Sequence, residues 1–458
     1  MNNLSIVLSG LIVVLAVPAG AETFTVDRID DPDPASIGAC DDAIALDCSL
    51  RKAVMISHIV PAGPHTVFVP EGIYRLTLEG SDNVGEFGGL DISTQVFLRG
   101  AGDGLSVVSV NDFSVIDVFE TAVGVEISDM TLRDAAVGIR NSGELRTDRL
   151  TLTNHNSRII SGGLFNMGTL EVFDTNIFGN AGWGVRNDGT LRITDSVVAE
   201  NGGAGIRSVA GGVLIVNSTI ASNSQTDLGP GIDVQESSLT IVGSLVADNQ
   251  GSGVRHSSST LTITDSTVSG NGLAPGVRGG GVRSLSSSSN SVEIVNSTFT
   301  GNGGQDGVID VDGGTLRVDR VTIVGNIGLN SISSPLGTNV EIRGSVLDTI
   351  CSGPAASFVS LGGNVGRFIG CGFDLAIDSA VIGSLGLAPL GQYGGTTPTM
   401  PPLPGSPAID FDPPGGCPPP GTDQRGLPRS AGPACDAGAV EYQGSGDPAN
   451  RIFADSFE

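Results

Sequence analysis

The chain has a single lysine, Lys52, only four histidines, 4% aromatics and 16% charged residues, against 68 glycines in 458 residues. So few bulky side chains exclude the aromatic-rich compact core of an ordinary mixed α/β enzyme of this size. One lysine outside any glycine-rich loop excludes a phosphate-binding P-loop, and no G-x-S-x-G stretch supplies a nucleophile elbow. The histidines, His58, His65, His155 and His256, include no two at metal-ligand spacing, so no metal and no cofactor is expected. Basic tracts are missing and the formal net charge is -26, a balance that repels nucleic acid and anionic membrane surfaces.

No segment after the first residues reaches the roughly 20 apolar residues a membrane span needs. The opening, "MNNLSIVLSGLIVVLAVPAGA", has no charged side chain and an apolar run from Ile6 to Val17 ahead of Ala19-Gly20-Ala21. It reads as a signal peptide over residues 1–21, which makes the mature chain an exported one with no transmembrane segment. Export turns the six cysteines toward disulfides. They fall as the neighbours Cys40/Cys48, Cys351/Cys371 and Cys417/Cys435, taken as the working pairing among the several that six cysteines allow.

What the chain has in quantity is a phrase. "TLTITDSTVSGN" at Thr260–Asn271 returns as "TLRITDSVVAEN" at Thr190–Asn201, and its first apolar residue recurs at Val125, Leu145, Leu170, Leu191, Val213, Leu239, Leu261, Val292, Leu316 and Val340. The steps are 20 to 31 residues. Apolar residues two further on, such as Ile193, Ile215 and Ile263, give strand alternation, and those seven further on, such as Val198, Ile220 and Val268, start a second face. A repeat of this length, with no helical pattern between phrases, predicts an all-β fold: a right-handed parallel β-helix of about a dozen coils, with rungs too small to stand alone.

Ten residues after each start an asparagine recurs: Asn180, Asn201, Asn223, Asn249, Asn271, Asn302 and Asn326. One amide at one turn of every coil predicts a structural hydrogen-bond ladder along the stack, with His155 a misfit at the same place. The open end of such a rod needs a cover. "CSLRKAVMISH", Cys48–His58, is the expected N-terminal capping helix, with Ser49 as its N-cap.

Those residues also carry a resemblance. "CSLRKAV" resembles the CSLREA motif at the front of secreted bacterial β-helix proteins, with Lys52 and Val54 in place of Glu and Ile. Val340–Tyr442 resembles the choice-of-anchor Q domain that follows such helices, through "GGTTPTMPPLPGSPAID", "TDQRGLPR" and "CDAGAVE". The resemblance implies a secreted or outer-surface protein of a Gram-negative-type bacterium and no agreed activity. Its [ILVF]-x-x-N phrases resemble, distantly, those of surface adhesins, and the ending "NRIFADSFE" resembles a short tail on secreted proteins of such bacteria. The expected organisation is a signal peptide (1–21), an N-terminal cap (22–63), the β-helix (64–350), a loop-rich, disulfide-bearing C-terminal cap (351–443), and a linker with tail (444–458).

Many right-handed β-helices cleave polysaccharides, a chemistry that needs acids on neighbouring coils. The Asp-Asp pairs, Asp30/Asp31 and Asp41/Asp42, precede the coils, and Gly-His-Gly is missing. Asp306, Asp310 and Asp312, like Asp233 and Glu236, read as outer-face carboxylates more than as an acid pair or a calcium loop. Asp410, Asp423, Arg425, Asp436 and Glu441 read as a cluster that ties down the proline-rich C-terminal cap. A second phrase, Gly-[Ile/Val]-Arg, sets Arg140, Arg186, Arg207, Arg255 and Arg283 on one outward stripe, with Phe165, Asp233 and Ile309 expected at the same place in other rungs. The stripe is the candidate ligand site, for an acidic polysaccharide or for the protein's own carboxylates such as Asp188 and Asp233. The function expected is a non-catalytic, adhesin-like binding rod. The alternatives are a polysaccharide lyase or glycoside hydrolase and a purely structural envelope protein.

Overall fold

A computed structural model describes residues 20–444, apart from 42, 61–62, 81–84, 112, 158–161, 225–228, 286–288, 337, 412–416 and 418. The expected signal peptide and the C-terminal tail lie, but for their innermost residues, outside the described residues. Among the described residues no helix is long and apolar enough to cross a membrane.

Each coil is three short strands, and equivalent strands stack in parallel into three ladders. On the first face Thr190–Thr194, Gly212–Val216, Ser238–Val242 and Thr260–Thr264 follow one another. On the second face Val197–Ala199, Thr219–Ala221, Leu245–Ala247 and Thr267–Ser269 do the same. The third face stacks Val185–Asn187, Ile206–Ser208, Ile232–Gln235 and Val254–Ser257 within a 12-stranded ladder, which matches the expected number of coils. Leu191, Val213, Leu239, Leu261 and Val292 are direct neighbours in register. They point inward with Ile193 and Val198, all almost fully buried, because alternate strand residues take opposite faces.

The ladders outrun the expected limits of 64–350. Thr23–Thr25 pairs in parallel with Thr66–Phe68, and Val365–Gly366 with Ser379–Ala380. Neither end carries the repeated phrase, because a terminal coil has a neighbour on one side only and packs its other side against a cap.

Backbone packs on backbone at the turn between the third and first faces. A Cβ at Gly168 would lie 2.1 Å from the carbonyl oxygen of Gly143, and one at Gly189 would lie 2.2 Å from that of Gly168. Only glycine fits there.

Helix α1, Leu50–Ile59, closes the N-terminal end, with Ser49 Oγ accepting from the Lys52 amide at 3.2 Å. Leu50, Ala53, Val54 and Ile56 face the core. The arginine of the CSLR segment is buried with them: Arg51 forks onto Asp31 at 2.7 and 2.9 Å and donates to the carbonyls of Gly88 and Gly89. Asp31 in turn accepts from the amides of Thr77 and Leu78, so this carboxylate joins the N-terminal segment, α1 and the first coil. Truncating one partner would leave a buried unpaired charge, at a cost of about 3 to 5 kcal/mol.

The C-terminal region folds back along the side of the rod. Gln424 donates to the Ser266 carbonyl at 3.1 Å and accepts from Thr298 Oγ1, and Arg429 reaches Asn296 Oδ1 at 2.8 Å. The amides of Gly438 and Ala439 bond to Gly344 and Thr322. Cys40–Cys48, Cys351–Cys371 and Cys417–Cys435 are joined as disulfides.

Candidate binding face

The outward row of the third face gathers the candidate residues. Register places Asp117, Arg140, Phe165, Arg186, Arg207, Asp233, Arg255, Arg283 and Asp310 in one line, rung after rung. Asp310, not Ile309, holds the row position beside Arg283. Ile309 pairs with Val282 and is fully buried, because Val308 extends the inward run by one residue and hides the frame in the sequence.

Like charges one rung apart are tolerated because other groups intervene. Arg186 pairs with Asp188 at 2.8 Å and lies over the Phe165 ring, 4.7 Å from its centroid. Arg207 lies 5.2 Å from the ring centroid of Trp183 and pairs with Asp233 at 2.8 Å. Arg255 takes the other side of Asp233 at 2.7 Å, so one buried carboxylate bridges two guanidiniums. Arg140 sits over Phe165 at 5.8 Å. Below it burial pushes the Asp117 carboxyl up, and Arg140 draws it down. The result is a band in which flat guanidinium and aromatic surfaces alternate, with Trp183 and Phe165 between arginines.

The remaining acids fall in separate places, with Asp306, Asp310 and Asp312 gathered about Arg278. Asp306 pairs with Arg278. Asp310 is buried 3.9 Å from Arg278, and burial raises its carboxyl. Asp233 is buried in the row whereas Glu236 is exposed at the following turn. No group of three or more His, Cys, Asp or Glu side chains among the described residues is arranged to hold a metal ion. The C-terminal cluster is closed to solvent: Arg425 forks onto Asp423 at 2.9 and 3.0 Å and donates to the Glu441 carbonyl, while Arg429 stands 3.7 Å from the Glu441 carboxylate. Asp410 accepts from the Ala434 amide, and its own amide donates to Asp436. Burial pushes Glu441 up to about 8 and Asp436 to about 6, and lowers Arg429 to about 10. One open cleft of about 290 Å³ on the first face brings Phe97, Glu126, Glu144, Arg146 and Glu171 together.

The seven asparagines form a continuous chain of amides. Each Nδ2 from Asn180 to Asn302 donates to the Oδ1 of the next at 2.9 to 3.1 Å. That same oxygen accepts the backbone amide of the preceding asparagine. His155 joins only through its backbone amide, and burial depresses its imidazole to about 4. Two further ladders run beside it that the repeat's apolar frame does not mark. Asn141, Asn166 and Asn187 donate in turn down the third face to Ser208 Oγ. Amides of Thr175, Ser196, Ser218, Ser244 and Ser266 bond to the hydroxyl one coil on. The signals were present as the residue after each stripe position in "GIRN", "LFN" and "GVRN", and as the serine of "TDS" and "VNS".

Residues 120–327 match the family model described as a right handed beta helix region. The chain is a right-handed parallel β-helix. Among solved structures, this β-helix is similar to the PL6 family alginate lyase AlyGC, at 10% identity and a TM-score of 0.50 over 82% of this chain and 55% of the lyase. The catalytic unit of the GH87 alpha-1,3-glucanase from Streptomyces thermodiastaticus aligns at 18% identity and a TM-score of 0.48, over 76% and 69% of the two chains. The A-module of the mannuronan C-5 epimerase AlgE4 of Azotobacter vinelandii aligns at 15% and 0.43, over 76% and 99%. At these identities the likeness is one of fold. None of the curated proteins matches the chain.

Proposed function

We propose that this β-helix is an exported, surface-exposed rod that binds a polysaccharide along its third face without cleaving it. The observation that carries the reading is the Phe165–Arg186–Trp183–Arg207 band, where half-buried Trp183 and the guanidiniums of Arg186 and Arg207 stack over successive coils on the buried Phe165 ring. Such a surface offers apolar planes for sugar faces and forked donors for sugar oxygens. Disulfides in all three cysteine pairs support export. AlyGC, which shares the fold, is by its name an alginate lyase. Trp183 is the only tryptophan, so its emission reports this face alone. Titration with oligosaccharides should shift Trp183 fluorescence saturably, and Arg186→Gln with Arg207→Gln should abolish that shift. Saturable glycan binding that leaves the emission unmoved would refute the placement.

A second reading, a lyase or hydrolase, draws on the first-face cleft with Glu126, Glu144 and Glu171. Release of new reducing ends, lost in Glu126→Gln and Glu171→Gln, would favour it over the binding rod.

A further inference from the structure

The longest step of the repeat, 31 residues from Leu261 to Val292, falls in the coil that carries Arg283. Most of its extra residues fall in the loop 272–281 between the second and third faces. The loop is pinned: Ser252 Oγ donates to the Arg278 carbonyl at 3.1 Å, the Gln305 amide to the Val277 carbonyl at 2.8 Å, and Arg278 pairs with Asp306. Gly279, at φ +59°, lies against the arginine row, where an added Cβ would come 2.9 Å from Arg283 Cβ. The loop therefore brings a third arginine over the two already in the row. Between them is a cavity of about 200 Å³ lined by Pro230, Ser252, Arg255, Pro275, Arg278 and Arg283.

We propose that this cavity is an oxyanion site that holds one sulfate or carboxylate group of a bound glycan. Three guanidiniums line it and no carboxylate does, in a chain of net charge -26. Asp233, which balances Arg255, and Asp306 and Asp310, which flank Arg278, are not among its lining residues, and Arg283, beside Asp310 in the row, has no ion pair among the described residues. The space is below the roughly 300 Å³ at which small-molecule pockets begin, so it suits a charged group and not a whole sugar ring. Guanidinium forks match the paired oxygens of either group. Arg283 lies four rungs beyond Arg186, roughly 19 Å along the row at about 4.8 Å per rung, so a chain resting on Trp183 reaches the cavity with the same face. The carrier rests on the polysaccharide reading above, whereas the oxyanion site stands on the cavity.

Two measurements separate them. The first is the thermal midpoint in inorganic sulfate against chloride at matched ionic strength, for wild type, Arg278→Gln/Arg283→Gln, and the exposed first-face control Arg192→Gln. The sulfate-specific rise should be present in wild type and the control, and lost in the double variant. Equal rises in all three would show a general salting effect and overturn the site. The second measures the Trp183 response to sulfated, uronate-containing and neutral oligosaccharides of equal length. The double variant should bind the acidic ligand about tenfold to a hundredfold more weakly and the neutral one unchanged. Whichever acidic class is affected names the group. Undiminished binding of both refutes the site while leaving the rod reading intact, and no Trp183 response with a retained sulfate effect refutes the rod reading alone.

Discussion

Removing the amide at Asn249, in the middle of the asparagine ladder, should destabilise the β-helix by leaving a buried backbone amide without a partner. Asn249 Nδ2 donates to Asn271 Oδ1 at 2.9 Å and to the Ile220 carbonyl at 3.0 Å. Its Oδ1 accepts from the Asn223 backbone amide at 2.9 Å and from Asn223 Nδ2 at 3.1 Å. In Asn249→Ala, Asn223 Nδ2 keeps the Val198 carbonyl, and Asn271 Oδ1 keeps the backbone amide of residue 249. The Asn223 amide and the Ile220 carbonyl keep no partner from this side chain, at a site 1% exposed. The Ile220 carbonyl stays within the parallel pairing of Thr219–Ala221 with Leu245–Ala247, so one buried orphan, the Asn223 amide, predicts a loss of about 1 to 3 kcal/mol, lessened if a water fills the gap. Asn326→Ala, at the half-exposed end of the ladder, should cost about 1 kcal/mol, because water reaches the released groups. Stacked coils can open locally, so urea unfolding followed by far-UV circular dichroism should be paired with hydrogen exchange at the Asn223 amide. Equal losses for the two variants, or an Asn223 amide no less protected in Asn249→Ala, would refute the ladder as the source of stability.

His155→Asn should extend the same ladder by one coil and remove an acid sensitivity. The imidazole is held neutral with its value depressed to about 4, so its contribution is full above about 6.5 and declines as pH falls toward 4. Wild type should lose about 2 kcal/mol between pH 7 and pH 5 that the variant keeps, read from urea midpoints at both pH values. The C-terminal region should respond in the opposite sense. Glu441, raised to about 8 in the fold, stabilises docking fully below about 4.3, and that contribution is lost as pH rises through 8. The Gly438 amide, bonded to the Gly344 carbonyl, should therefore be better protected at pH 5 than at pH 8.5 once intrinsic exchange is corrected, and Glu441→Gln should flatten the difference.

What was legible in the sequence is what a single coil decides for itself. Leu191 and Ile193 alternate because the strand alternates, and the recurrence of the pattern at Val213 and Ile215 is enough to imply stacking. The asparagine turn is visible for the same reason, since every copy answers the same local geometry. The second ladder was hidden because its members change from Asn187 to Ser208 while still bonding to each other. Ile309 was misplaced by the loss of the Gly-Val-Arg frame in "GVIDVD", where only pairing with Val282 shows which residue is inward. The partners of the stripe, Asp233 between Arg207 and Arg255, depend on the register of different coils and are not written in any one of them. Least legible was the path of the C-terminal region: nothing near Gln424 says that it lies on Ser266, because that contact joins residues 158 apart.

That contact also decides how the rod carries load. A pull on the chain beyond Tyr442 does not first peel the last coil away like tape from its end. Through Gln424, Arg429, Gly438 and Ala439 the tension enters sideways at Ser266, Asn296, Thr322 and Gly344, spread over four coils at once. Those bonds share the force in shear, and the final coils, from Phe358 to Ala380, are bypassed and stay slack.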